Sequence, residues 1–276
     1  MNQKNFYKLI ITGGIISGIF FILLMCFTYS SLIRGSLTQN DGMVTLSIII
    51  LIRVTNLALA AYYMFHKWFN QEKQFFSDIP FLFGLFFLIL TFGKAIDLIW
   101  DLIFFSINDE TILLLLKIRF FVIVFTAAPM LYLSIGMMLY YFSLKDKGKG
   151  IKEEKKRNKI SQNILTAVII IEIFAIVIAP DRNAIAIMLP LIVLPSFAMI
   201  VWLFYFSYKN KALSQVNSKI LTIGFGALLI SQTLRPVIQF IYGETTMYVI
   251  ICEIIDFFVF LVIILGFFIK AKFSQI

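Results

Sequence analysis

Long apolar runs separated by short polar stretches are the dominant pattern along this chain. The runs lack the apolar–polar alternation that is typical of membrane barrel strands. Unsatisfied backbone groups are very costly in hydrocarbon, so apolar runs of about 20 residues predict membrane-spanning helices. We identify eight predicted spans, with seven as the alternative count: residues 9–33, 44–65, 79–105, 112–143, 160–179, 184–207, 219–241 and 246–269.

The composition agrees with lipid as the main solvent of the chain. Hydrophobic residues make up 61% of the sequence and charged residues only 14%, which differs strongly from the averages of soluble domains. The sequence therefore predicts an all-α fold, a polytopic transmembrane helical bundle that forms a single integral membrane domain over residues 1–276. We expect a multi-pass protein of the plasma membrane. The first span is longer than a typical signal core, so we interpret it as a retained anchor helix.

The basic residues outside the spans predict the orientation of the bundle. The N-terminus, three alternate loops and the C-terminal tail hold 17 of the Lys and Arg residues, whereas the other loops hold only Arg34 and Arg182. Positively charged loops are enriched on the cytoplasmic side of membranes. The sequence therefore predicts that both termini are cytoplasmic.

The most basic segment is the predicted cytoplasmic loop 144–159, which includes the run KDKGKGIKEEKKRNK. Its charge is explained by orientation and by contact with anionic headgroups, so we expect membrane lipids as its partner. Docking of a cytoplasmic protein partner is the alternative. We expect no nucleic acid partner, although the sequence pI is about 9.5.

Charged side chains inside the spans are the most specific signal in the sequence. Lys94, Asp97 and Asp101 lie in the third span with i, i+3 and i+7 spacing, which places them on one helix face. One charge near the centre of a spanning helix costs roughly 2.5–3.5 kcal/mol on insertion scales. Three charges in one segment therefore need partners or a function.

Other spans supply groups at the same predicted depth, the outer half of the membrane. In total, five bases and five acids lie within the spans, and the predicted inner halves are nearly free of charge. Among the bases outside the third span are Lys117 and Arg119, which are two residues apart and therefore point to opposite faces of their helix. Among the acids is Glu172. We select as a candidate ligand-binding or intramembrane charge network Arg53, Asn56, Lys94, Asp97, Asp101, Gln232, Arg235, Gln239, Glu253 and Asp256.

These residues support three hypotheses about function. We favour a receptor or sensor-type module that binds a small charged or zwitterionic ligand in an outer pocket between the second, third, seventh and eighth spans. A secondary transporter or channel could use the same charges as an ion or proton relay. A membrane assembly or scaffold subunit would use them as interhelical contacts only.

No recognised catalytic spacing occurs in the sequence, so we predict that the chain is not an enzyme and has no catalytic residues. The single histidine, His66, falls at the cytoplasmic end of the second span, and we interpret it as a solvated residue. Asp97 and Asp101 share their helix face with Lys94, which favours ion pairing over cation binding. We therefore expect neither a metal site nor a cofactor.

Overall fold

The computed structural model describes residues 3–144, 154–213, 215–243 and 245–269, and every regular element within these ranges is a helix. The all-α prediction is thereby confirmed. A short 3₁₀ turn, Phe104–Ser106, follows the fourth α-helix. The α-helices are α1 (Gln3–Thr28), α2 (Ser30–Gln39), α3 (Met43–Phe69), α4 (Ile79–Ile103), α5 (Asp109–Leu144), α6 (Glu154–Ile178), α7 (Arg182–Asn210), α8 (Ser218–Tyr242) and α9 (Thr246–Phe268).

Seven helices of the described part, α1, α3, α4, α5, α6, α8 and α9, are long and apolar enough to cross a membrane. The sixth predicted span, residues 184–207, lies within α7, a helix of 29 residues. The chain is therefore a multi-pass helical membrane protein with about seven or eight spans, as the apolar pattern predicts. Its membrane and its orientation stay predictions.

The predicted and observed helix ends differ most at the N-terminus. The first predicted span, 9–33, covers most of α1 and the beginning of α2, because the helix breaks at Tyr29. The loop predicted at 144–159 lies partly outside the described residues, which resume at Glu154, the first residue of α6. The prediction that this loop contacts lipid or a protein partner is not tested by the described residues.

The chain divides into two compact units, residues 1–126 and 127–276. In the first unit, Trp68 near the end of α3 is fully buried and lies 5.5 Å from the ring of Tyr7. Its indole Nε1–H donates to Asp78 Oδ2 at 3.0 Å and to the Phe75 carbonyl at 3.2 Å. A buried indole usually has an acceptor for its N–H group. The hydrogen bonds link Trp68 to the α3–α4 connection, and the ring contact with Tyr7 packs it against the start of α1.

In the second unit, α8 and α9 approach closely because glycines face bulky aliphatic side chains. A Cβ atom added to Gly224 would lie 2.7 Å from Ile263 Cγ1, and one added to Gly266 would lie 2.6 Å from Leu221 Cδ2. Small residues allow such close backbone approach between membrane helices. The α8–α9 pair is therefore tightly packed at these two glycines.

Replacement of Gly266 by Ala should lower the free energy of unfolding by about 1–3 kcal/mol, because the added methyl group overpacks this contact. Gly226→Ala is the matched control, since nothing lies within 4 Å of a Cβ atom at Gly226 on α8. This control should be neutral or slightly stabilising. Thermal unfolding in detergent measures both variants, and equal melting temperatures would show that close helix approach does not stabilise the pair.

Candidate functional site

In the first unit, the carboxylate of Asp97 forms ion pairs with two basic side chains. Asp97 Oδ2 lies 2.8 Å from Lys94 Nζ, and Asp97 Oδ1 lies 2.7 Å from Arg119 Nε. The side chains of Lys94 and Asp97 are 8% and 10% exposed, so water screens their pair poorly. We call Lys94, Asp97 and Arg119 the Asp97 cluster; its formal charge is +1.

Helix geometry explains how this cluster forms. Lys94 and Asp97 are three residues apart on α4 and therefore share a face of the helix. At the same level α4 lies close to α5, because a Cβ atom on Gly93 would be only 2.8 Å from Val122 Cγ1. Arg119 lies on α5 one turn before Val122, so this close approach brings its guanidinium to the carboxylate.

The other predicted site residues of the first unit lie on α3 and α4. Arg53 is almost completely buried, with 1% of its surface exposed. Asn56 and Asp101 are half-buried. All three residues thus lie in helices that can span the membrane, as the sequence predicts.

In the second unit, the carboxylate of Asp256 on α9 accepts hydrogen bonds from a guanidinium and a hydroxyl group of α8. Arg235 Nη2 donates to Asp256 Oδ2 at 2.6 Å, and Ser231 Oγ donates to Asp256 Oδ1 at 2.6 Å. Glu253 Oε1 lies 4.0 Å from the same guanidinium nitrogen. We call Ser231, Arg235, Glu253 and Asp256 the Asp256 cluster.

Regular helical spacing aligns the donors and acceptors of the Asp256 cluster. Ser231 and Arg235 are four residues apart on α8, and Glu253 and Asp256 are three residues apart on α9, so each pair shares a helix face. Short charge-assisted hydrogen bonds of this kind are stronger than neutral ones. The two short bonds to Asp256 therefore link α8 to α9, while Gln232 and Gln239 are half-buried on α8.

A third buried acid lies on α6 in the second unit. Glu172 is 7% exposed, and its Oε1 atom accepts from Ser196 Oγ of α7 at 3.4 Å. The structure thus gives Glu172 a hydroxyl partner, whereas Asp97 and Asp256 each contact at least one base.

The structure thus brings together Lys94 with Asp97, and Arg235 with Glu253 and Asp256. The single pocket expected for all ten candidate residues is not tested and stays a prediction. Two partners were absent from the candidate set, namely Arg119 and Ser231. Ser231 could have been found from its spacing of four residues before Arg235, whereas the partner of Arg119 depends on how α4 and α5 pack.

His66 lies in the last turn of α3 and is exposed, with Nε2 2.9 Å from Asn70 Nδ2. Among the described residues no group of three or more His, Cys, Asp and Glu side chains could hold a metal ion. No protein-family model, curated protein or solved structure matches the chain.

Replacement of Arg235 by Gln should reduce the free energy of unfolding by about 3–5 kcal/mol, because it leaves Asp256 and Glu253 buried without their base. Addition of Asp256→Asn to this variant should restore part of the loss, since one of the two uncompensated charges is removed. Lys73→Gln, which alters an exposed loop residue, is the control. A wild-type melting temperature for Arg235→Gln would contradict a stabilising role of the Asp256 cluster.

Proposed function

We propose that the chain is a receptor or sensor-type membrane module that binds a small charged or zwitterionic ligand at the Asp97 cluster. The observation that supports this proposal is the sharing of one carboxylate by two bases in a largely buried site. The ligand would contribute a carboxylate, phosphate or similar anionic group. This group would contact the two basic side chains that lie within 3 Å of Asp97.

The charge of the surrounding spans supports the same conclusion. Within the predicted spans of the first unit lie four bases and only two acids, an excess of two positive charges. Excess charge in a low-dielectric region is costly unless a counter-charge is available. An anionic ligand group would supply it. The residues counted are Arg53, Lys94, Asp97, Asp101, Lys117 and Arg119.

The position of the charges along each helix favours a receptor over a transporter. On α4, residues 79–93 carry no charge and the three charged residues all follow, while on α9 residues 257–268 carry no charge. An ion or proton relay would need ionisable groups along most of the path across the membrane. A one-sided distribution suits a site that opens to one side, which the predicted topology makes the outer side.

A thermal-stability screen of the purified protein against amino acids, organic acids, polyamines and nucleotides tests this proposal. Ligands with an anionic group should raise the melting temperature of the wild type. The variant Arg119→Gln should stay folded, because Asp97 keeps Lys94 as a partner, and it should lose most of the response. At a ligand concentration of 100 times Kd the stabilisation corresponds to about 2.7 kcal/mol.

Lys73→Gln removes a positive charge from an exposed loop residue and serves as the control. It should respond to the ligand as the wild type does. If Arg119→Gln keeps the full response, the ligand does not bind at the Asp97 cluster. If no anionic compound stabilises the wild type while partner proteins co-purify with it, an assembly or scaffold role replaces the receptor proposal.

A further inference from the structure

The connection between α3 and α4 carries two exposed phenylalanines in an otherwise polar sequence. Residues 70–78 read NQEKQFFSD, and Phe75 and Phe76 expose 57% and 50% of their surfaces. Exposed apolar side chains that lie side by side mark membrane or protein interaction sites. The contacts around the two rings decide between these partners, because they define how far from the membrane spans the rings lie.

Hydrogen bonds hold this segment close to the ends of both helices. The indole of Trp68, the last residue but one of α3, donates to the Phe75 carbonyl and to Asp78 Oδ2. The Phe75 N–H donates to Asp78 Oδ2 at 2.8 Å, and the Asp78 N–H donates to the Phe75 carbonyl at 3.1 Å. Asp78 directly precedes α4. The turn from Phe75 to Asp78 is therefore folded back against the helix ends, with these backbone groups satisfied.

Ring contacts place Phe76 at the level of the first turns of two spans. Its ring centre lies 4.6 Å from that of Tyr7 and 5.2 Å from that of Phe81. Tyr7 is near the beginning of the span Asn5–Thr28, and Phe81 is near the beginning of the span Ile79–Ile103. The exposed rings therefore lie near the boundary of the hydrocarbon layer. Aromatic side chains favour this interfacial layer of a bilayer.

A basic side chain lies at the same end of the first unit. Lys8 follows Tyr7 on α1 and is exposed, and its Nζ atom lies 5.7 Å from the ring centre of Phe69, the last residue of α3. Lysines near the ends of spanning helices extend their ammonium groups toward the lipid headgroups. The ammonium group of Lys8 is thus available to lipid phosphates beside the exposed rings.

From these contacts we infer that Phe75 and Phe76 form an interfacial anchor, which inserts into the headgroup layer of the bilayer where α3 ends and α4 begins. The bilayer is the expected occupant, because the patch continues into the exposed apolar surface of α1 at Leu9 and Ile10. The phosphate group that contacts Lys8 would belong to a phospholipid. This inference is independent of the Asp97 cluster and of the ligand proposed there.

Tryptophan fluorescence of the full chain in liposomes tests the anchor. In a background with Trp100→Phe and Trp202→Phe, the variant Phe75→Trp adds one exposed indole, while Trp68 keeps its hydrogen bonds. Bromine atoms near the headgroup end of the acyl chains should quench the added emission more strongly than bromine atoms near the chain ends. Acrylamide on both sides of the membrane should quench it weakly. Phe76→Trp should give the same result, and it tests the anchor if Phe75→Trp fails to fold.

Leu59→Trp in the same background is the matched control, because Leu59 is an exposed residue ten positions before the end of α3. Its indole should be quenched more strongly by bromine near the chain ends. Strong acrylamide quenching of Phe75→Trp without bromine quenching would overturn the inference, because the turn would then face water. Protection from acrylamide by a co-purified protein, again without bromine quenching, would also overturn it, because a protein would then cover the rings.

Discussion

The high cost of a charge in hydrocarbon is the constraint on which the rest of this structure depends. Water cannot screen a buried carboxylate or guanidinium within the membrane, so each needs a counter-charge or hydrogen-bond partners close by. Asp97 and Asp256 meet this need through contacts of 2.6–2.8 Å. These contacts join side chains of α4 and α5 in the first unit and of α8 and α9 in the second.

The charged residues within the predicted spans have a different net sign in the two units. The first unit has an excess of bases in its spans, whereas the second has three acids, Glu172, Glu253 and Asp256, and one base, Arg235. In the second unit, the Asp256 contacts link two helices. The anionic ligand proposed for the Asp97 cluster would reduce the excess of positive charge in the first unit.

Much of the fold could be predicted from the sequence, because hydrophobicity and length determine a membrane span with little reference to tertiary contacts. The pairing of Lys94 with Asp97 was also accessible, since both lie on one face of one helix. The pairing of Asp97 with Arg119 could not be predicted from the sequence, because it depends on how α4 and α5 pack near Gly93. The helix break at Tyr29 was not predicted, because no proline or glycine marks the position and the flanking Thr28, Ser30 and Ser31 interrupt the apolar run only briefly.

The central claim is that the Asp97 cluster contains one base more than its carboxylate requires for stability. The most direct test compares the unfolding free energies of Arg119→Gln and Asp97→Asn in lipid nanodiscs without added ligand. The account predicts that Arg119→Gln stays close to the wild type, because Lys94 still neutralises Asp97. It predicts that Asp97→Asn loses several kcal/mol, on the order of 3–5, because both buried bases lose a carboxylate that lies within 3 Å. Equal losses in the two variants would contradict the claim and would indicate that both bases serve only to hold the helices together.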